Sequence, residues 1–137
     1  MPAKHFLDTN ILLYGYDLDA GEKRTVALAL LSDGWENLGV NAISVQVLQE
    51  FFVNALRKGM PRDTLVPLLE DLSLWPVIDN SLELFGRGVG IQERFQLSLW
   101  DAMIVAAAKT SGARILLTED LNHGQDYDGV IATNPFI

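Results

Sequence analysis

The sequence of 137 residues contains no cysteine, so disulfide bonds, thiolate metal sites and thiol catalysis are all excluded. It has no apolar run near the roughly 20 residues that span a bilayer. Its first residues also lack the cationic start and long apolar stretch of a signal peptide. The two histidines, His5 and His123, show no ligand-like spacing. Together these absences predict a cytoplasmic protein that has no membrane partner.

Positive charge is scarce in this sequence. Lys and Arg number 10 against 18 Asp and Glu, which gives a formal net charge of −8 at pH 7. Such a balance argues against a broad phosphate-binding surface, because nucleic-acid binding usually shows as a basic patch. Two explanations remain open. Divalent cations could neutralise an acidic pocket, or an acidic face could bind a basic protein.

Strand-like and helix-like segments alternate along the whole chain. A hydrophobic fraction of 49% with 20% charged residues is typical of an ordered globular protein. The length fits a single domain over residues 1–137. The alternation predicts an α/β fold, with a mostly parallel sheet covered by helices. The predicted strands are residues 4–7, 39–43, 74–78, 114–118 and 130–133. The three tryptophans are expected in the core, and Trp100, beside Asp101, is the one to watch for a role in binding.

Helices are predicted over residues 22–31, 45–58, 61–72 and 99–110, with Ser44 and Ser98 as N-terminal caps of the second and fourth. Pro67 predicts a kink or break in the third helix, because proline lacks a backbone N–H. Residues 80–96 are helical in content but contain three glycines, each of which weakens a helix by about 1 kcal/mol. That stretch is expected to be either broken or tightly packed.

Four carboxylates stand beside or within apolar segments: Asp8 in HFLDTN, Glu50 in VQVLQEFF, Asp101 in SLWDAMIVAAA and Asp120 in RILLTED. An ionised carboxylate next to buried surface is costly unless it is paired, hydrogen-bonded or bound to a cation. Asp8 and Asp120 follow predicted strands, and Asp101 lies in the first turn of a helix. Ligand sites in parallel sheets form at the carboxyl ends of the strands. We therefore expect at least these three residues at one edge of the sheet.

Each carboxylate taken alone has an ordinary explanation. Asp8 is a helix cap, Asp101 is favoured by the helix dipole, Glu50 belongs to a solvated stripe, and Asp120 is a turn residue. Taken together, an oxygen-only ligand set suits Mg²⁺ or Mn²⁺ and not Zn²⁺. Such cations in a carboxylate cage can activate water and stabilise the leaving oxygen of a phosphodiester. The combined pattern therefore predicts metal-dependent phosphodiester hydrolysis.

The strings FLDTNILLY, VLQEFF, SLWDAMIVAAA and ILLTEDL, in this order, resemble the PIN domain. They are most similar to the VapC-type ribonuclease toxins of bacterial and archaeal toxin–antitoxin pairs, and the resemblance covers essentially the whole chain. It implies a three-layer α/β/α fold whose central, mostly parallel sheet has about five strands. The catalytic and metal-binding residues that it implies are Asp8, Glu50, Asp101 and Asp120, with Asn10 and Thr118 as polar residues that support them.

The same resemblance implies an activity and partners. The activity is that of a Mg²⁺- or Mn²⁺-dependent endoribonuclease that cuts RNA to leave 5′-phosphate ends. The partners are a second copy of the chain, forming a homodimer, and an antitoxin. The antitoxin's C-terminal segment wraps the toxin and places a basic side chain in the acidic site, which agrees with the low pI. Basic residues near the site are sparse; the candidates for contacts with substrate phosphates are Lys4, Arg57, Lys58, Arg94 and Arg114, and none of them is favoured individually.

Two other classes of enzyme or signalling protein fit the residues less well. A phosphoacceptor receiver needs a lysine after its last strand, but the C-terminal string GVIATNPFI has none, and Glu50 would have no role. A haloacid-dehalogenase-like phosphatase needs an aspartate two positions after the first, where Asn10 stands instead. An inert binding module with the same fold remains open.

Overall fold

The structure is a computed structural model that describes residues 2–137. Its strands are β1 (His5–Leu7), β2 (Asn41–Ser44), β3 (Val77–Ile78), β4 (Ile115–Leu117), β5 (Asp126–Tyr127) and β6 (Val130–Thr133). Its helices are α1 (Thr9–Gly15), α2 (Glu22–Glu36), α3 (Val45–Arg57), α4 (Arg62–Leu72), α5 (Leu82–Phe95) and α6 (Leu99–Ser111). None of these helices combines the length and the apolar character needed to cross a membrane.

All the strands belong to one sheet with the order β3-β2-β1-β4-β6-β5. Every neighbouring pair is parallel except β5 and β6, which form an antiparallel hairpin. This confirms the predicted α/β fold with a mostly parallel sheet. One strand, β5, was not among the five predicted strands; it lies in the polar segment between β4 and β6. Its signal is the dipeptide Asp128–Gly129, whose positive φ angles of 58° and 94° are those of a tight hairpin turn.

Helix α6 forms the centre of the core. Seven consecutive residues from Ala102 to Ala108 are buried, so the helix is covered on all sides. It contacts five of the strands and packs along α5. Helix α5 is unbroken although it contains Gly86, Gly88 and Gly90. At Gly88 a side chain would collide with Met103 of α6, so this glycine lets the two helices approach closely.

Helices α2 and α4 both continue where the sequence predicts an end or a break. Helix α2 was expected to end at Leu31 but continues to Glu36. At Gly34 an added Cβ would lie 2.6 Å from both the Trp75 ring and the Asn41 side chain. The glycine is there because Trp75 packs against the helix, not because the helix stops. Helix α4 also continues through Pro67 without interruption.

The contrast between the buried and the open glycines yields a stability test. Replacing Gly34 by alanine should lower the free energy of unfolding by about 2 kcal/mol, because the rigid Trp75 ring and the hydrogen-bonded Asn41 leave no room. Replacing Gly86 by alanine should raise it by up to about 1 kcal/mol, since no atom lies within reach and alanine favours the helix. Urea unfolding of both variants measures the difference. Equal urea midpoints for the Gly34→Ala and Gly86→Ala variants would contradict the packing described for Gly34.

Candidate active site

The candidate site lies where the order of the strands reverses. Strand β1 has β2 on one side and β4 on the other, so the chain leaves β1 in one direction and later returns on the opposite side. Such reversal points open a crevice at the carboxyl ends of the strands. The last residues of β1 and β4, Leu7 and Leu117, are paired in register. The residues that follow them, Asp8 and Thr118, therefore meet at this crevice.

Asp8 is the most deeply buried of the four predicted carboxylates, with 6% of its surface exposed. Its backbone N–H donates to the carbonyl of Leu117 at 3.0 Å, which extends the pairing of β1 with β4 by one residue. One carboxylate oxygen accepts from the backbone N–H of Thr9 at 2.7 Å, and the other accepts from the Thr118 hydroxyl at 2.7 Å. Asp8 also caps α1, so the predicted cap and the predicted site residue are one group.

Glu50 reaches the same crevice from the middle of α3. The hydroxyl of Thr9 donates to the Glu50 carboxylate at 2.7 Å. Thr9 thereby links Glu50 to Asp8, its backbone N–H binding one carboxylate and its side chain the other. One turn further along α3, Asn54 donates to the Glu50 carbonyl at 2.8 Å.

Asp120 lies two residues beyond Thr118, in the loop after β4. Its backbone N–H donates to the Thr118 hydroxyl at 3.1 Å, and its carboxylate accepts from the Asn10 side-chain amide at 3.1 Å. Thr118 therefore contacts both Asp8 and Asp120, while Asn10 holds Asp120 from α1. These are the two polar residues that the sequence predicted to support the carboxylates.

Asp101 enters from the first turn of α6. Ser98 is the N-cap of this helix, and its hydroxyl accepts from the Asp101 backbone N–H at 3.1 Å. A carboxylate in the first turn is favoured by the positive end of the helix dipole. On the preceding residue, the carbonyl of Trp100 accepts from the side-chain amide of Gln46 in α3 at 3.1 Å. That contact ties the start of α6 to the helix that carries Glu50.

All four carboxylates line a single cavity of about 240 Å³. We call it the acidic cavity; its other lining residues are Thr9, Asn10, Leu13, Gln46, Asn54, Trp100 and Ile104. Neither lysine nor arginine is among them. The structure thus brings Asp8, Glu50, Asp101 and Asp120 together from four separate segments of the chain.

The donor set of the acidic cavity fits a hard divalent cation, because only oxygen ligands face it. The side-chain oxygen of Asn10 is also buried there, with no hydrogen-bond partner among the described residues. As the side chains lie, however, no three Asp, Glu or His residues in residues 2–137 are arranged around a single ion. The carboxylates are held by Thr9, Asn10 and Thr118 instead. An ion would require the more exposed side chains to turn inward.

Burial dominates the electrostatics of the acidic cavity. It raises the pKa of the Asp8 carboxyl from 3.8 to about 6, against the lowering effect of the Thr118 and Thr9 hydrogen bonds. Burial also raises the pKa of Asp120, and the negative charges of Asp101 and Glu119 add to that rise. Carboxylates that share a small volume disfavour one another's ionisation. A cation in the cavity would remove this cost.

The charged groups beside the cavity are already paired elsewhere. Glu119 turns away from Asp120 and accepts from Lys23 at 2.8 Å and from the Tyr14 hydroxyl. Of the basic residues expected to contact phosphates, Lys58 pairs with Asp17 and Arg94 pairs with Asp128. None of the five expected basic residues lines the acidic cavity. Contacts of these five residues with a substrate phosphate therefore stay a prediction.

The structure adds to the sequence interpretation at two residues of the site. Thr9 was not predicted to be a site residue, yet it contacts both Asp8 and Glu50. Trp100 was expected in the core, but 66% of its surface is exposed and it lines the acidic cavity. Its position beside Asp101 is the signal that had singled it out among the tryptophans. The other two tryptophans do pack together, with ring centroids 5.0 Å apart.

Solved structures share this fold over most of the chain. A toxin–antitoxin complex from Klebsiella pneumoniae superposes with a TM-score of 0.71 at 26% identity, covering 97% of this chain and 98% of that one. VapC20 from Mycobacterium tuberculosis, described as a sarcin-ricin loop cleaving toxin, gives 0.68 at 18% identity, covering 85% and 92%. A DNA-bound VapBC from Salmonella typhimurium gives 0.69 at 18% identity, covering 97% and 98%.

The comparison by sequence gives the family. No curated protein matches the chain. The model of the PIN domain matches residues 5–125, a span that contains all four carboxylates of the acidic cavity. This match to the PIN domain rules out the receiver and the dehalogenase-like alternatives. The chain belongs to the PIN domain family, and the solved structures that it resembles include VapC-type toxins and toxin–antitoxin complexes.

Proposed function

We propose that this protein is a Mg²⁺- or Mn²⁺-dependent endoribonuclease and the toxin of a toxin–antitoxin pair. The observation that carries the proposal is the convergence of four carboxylates, from four separate segments, on one cavity. Membership in the PIN domain family supports it. An inert module of the same fold would have no need to keep a buried carboxylate whose ionisation is opposed by burial.

The residues proposed to hold the cation are Asp8, Glu50, Asp101 and Asp120. When bound, a divalent cation supplies Lewis acidity, which lowers the pKa of water and stabilises negative charge at the scissile phosphate. The protein's own contribution is orientation. Thr118 holds Asp8 and positions the Asp120 backbone, Thr9 holds Asp8 and Glu50, and Asn10 holds Asp120. Such supporting contacts typically affect metal affinity or activity by about 10–100-fold.

The charge of the protein indicates what kind of antitoxin segment it would bind. With a net charge of −8 and no basic side chain lining the acidic cavity, a basic segment is the protein chemistry that complements it. We propose that a cognate antitoxin supplies this segment and that the protein forms a homodimer. The resemblance to toxin–antitoxin complexes from Klebsiella pneumoniae and Salmonella typhimurium supports an antitoxin partner.

The first prediction concerns the carboxylates. In metal-stripped, antitoxin-free protein, adding Mn²⁺ should start RNA cleavage. Replacement of Asp8 or Asp101 by asparagine should lower the rate by about a hundredfold or more, because each change removes a charged oxygen from the acidic cavity. Asp63→Asn is the matched control, since Asp63 lies exposed in the first turn of α4. Gel analysis of a labelled RNA gives the rates.

Each outcome of this comparison has a definite meaning. Loss of cutting in the two cavity variants but not in Asp63→Asn supports the nuclease proposal. Equal cutting in all variants would place the activity elsewhere on the protein. If the unsubstituted protein neither binds Mn²⁺ nor cuts RNA, the four carboxylates have structural roles only.

The second prediction concerns pH. The pKa of Asp8 is raised in the folded protein, so its contribution to stability is fully present below pH 3.8 and is lost as the pH rises through about 6. The loss amounts to about 3 kcal/mol at most, from a shift of roughly two pKa units at 1.36 kcal/mol each. Mn²⁺ should bind more tightly above pH 6 than below it, because it requires the ionised carboxylate.

The measurement is urea unfolding with and without Mn²⁺ on either side of this pH. Stabilisation by Mn²⁺ should be large only at the higher pH, and Asp8→Asn should abolish most of it. In the absence of metal, Asp8→Asn should also flatten the pH dependence of unfolding. A Mn²⁺ effect that does not change across this range would contradict the assignment of Asp8 as a ligand.

The third prediction concerns the ends of the products. Hydrolysis by an activated water leaves a 5′-phosphate on one fragment and a 3′-hydroxyl on the other. A 5′-phosphate-dependent exonuclease should therefore degrade the downstream fragment without prior phosphorylation. Fragments ending in 2′,3′-cyclic phosphate would indicate attack by the ribose 2′-hydroxyl, and the proposed chemistry would then be wrong.

A further inference from the structure

A second cavity adjoins the acidic cavity and shares a wall with it. This cavity, called here the side cavity, has a volume of about 360 Å³. Gln46 and Trp100 line both cavities, so the two cavities adjoin at these residues. The volume falls within the range of about 300–1,000 Å³ found for small-ligand sites.

The apolar part of the side cavity is aromatic and open to solvent. Trp100 is 66% exposed and Phe85 is 46% exposed, while Met103 lies buried beneath them. Single exposed apolar side chains are ordinary, but large ones that are exposed side by side are a feature of binding surfaces. The Trp100 backbone is fixed by Ser98 at the start of α6 and by the Gln46 amide. The Trp100 side chain therefore extends from a backbone that is held in place at the N-terminus of α6, next to Asp101.

The polar part of the side cavity consists of carboxamides. The side chains of Gln46, Gln49 and Asn80 line it together with Ser81. A carboxamide both donates and accepts hydrogen bonds, as do the edges of nucleobases. Like the acidic cavity, the side cavity has no lysine or arginine among its lining residues. Affinity for a polyanion at this site must come from uncharged contacts.

We propose that the side cavity holds one unpaired nucleobase of the RNA, stacked on Trp100 and bonded at its edge by the carboxamides. The inference rests on the proposed function, which places a substrate phosphate in the acidic cavity. A base and its phosphate are joined through one sugar, and the two cavities share a wall. Stacking on an aromatic side chain contributes about tenfold or more in affinity per base and accepts any base. A base in a duplex is already stacked and paired, so the substrate is single-stranded at the cut.

The test separates base binding from cleavage. Labelled single-stranded oligo(A) and oligo(U) are titrated with metal-free protein and followed by fluorescence anisotropy. Trp100→Ala should weaken binding about tenfold, and Trp100→Phe should weaken it less, because phenylalanine retains a stacking surface. Leu74→Ala is the control, since Leu74 is exposed to a similar degree, 71%, and lines neither cavity. Urea unfolding should show all three variants folded.

Two further readouts address stacking itself. Oligo(A) and oligo(U) should quench the tryptophan emission of the unsubstituted protein, and a ribose-phosphate oligomer without bases should not. In cleavage with Mn²⁺, Trp100→Ala should raise KM about tenfold with little change in kcat. RNA binding that depends on Trp100, without any RNA cleavage, would contradict the nuclease proposal but not the base site.

Four results would overturn the base site. One is equal RNA affinity in Trp100→Ala and the unsubstituted protein. Another is equal binding of the oligomer without bases. The third is quenching by decaarginine but not by either RNA, which would make the side cavity a protein-docking surface. If RNA is cleaved with an unchanged KM in Trp100→Ala, the nuclease proposal survives and the base site does not.

Discussion

The buried carboxylate of Asp8 is the constraint on which the arrangement of this molecule depends. A carboxylate at the end of a central strand cannot be left unpaired, because burial raises its pKa to about 6 even with two hydrogen bonds in place. Its partners, Thr9 and Thr118, come from the helix after β1 and the loop after β4. Those same residues reach onward to Glu50 and Asp120. One costly group thus organises the contacts of three carboxylates.

Much of this arrangement could be predicted from the sequence, because it depends on local rules. Asp8 and Asp120 were expected at the carboxyl edge of the sheet because each follows an apolar strand, and the structure places both there. Ser44 and Ser98 were expected as helix caps and are so. These signals require only a few neighbouring residues, so tertiary packing had little opportunity to override them. Glu50 was singled out as a carboxylate within an apolar helical segment, but only the resemblance to PIN domains placed it in the site.

What the sequence did not reveal depends on contacts between distant segments. The reason for a glycine inside α2 at position 34 is the packing of Trp75, which follows two helices later in the chain. The bonds of Thr9 to Glu50 and of Asn10 to Asp120 span 41 and 110 positions. The exposure of Trp100 is a further case, because composition favours burial of tryptophan and only the fold decides which one stays outside.

The separation of Asp8 from Thr118, 110 positions apart, also determines when the site can exist. Strand β1 sits between β2 and β4, so its second neighbour is missing until the chain has been made almost to its final strand. During synthesis, a nascent chain that ends before β4 carries Asp8, Glu50 and Asp101 but has nothing to hold Asp8 on that side. The acidic cavity therefore assembles only after residue 120 has left the ribosome. A truncated translation product that ends before β4 would therefore lack the assembled acidic cavity.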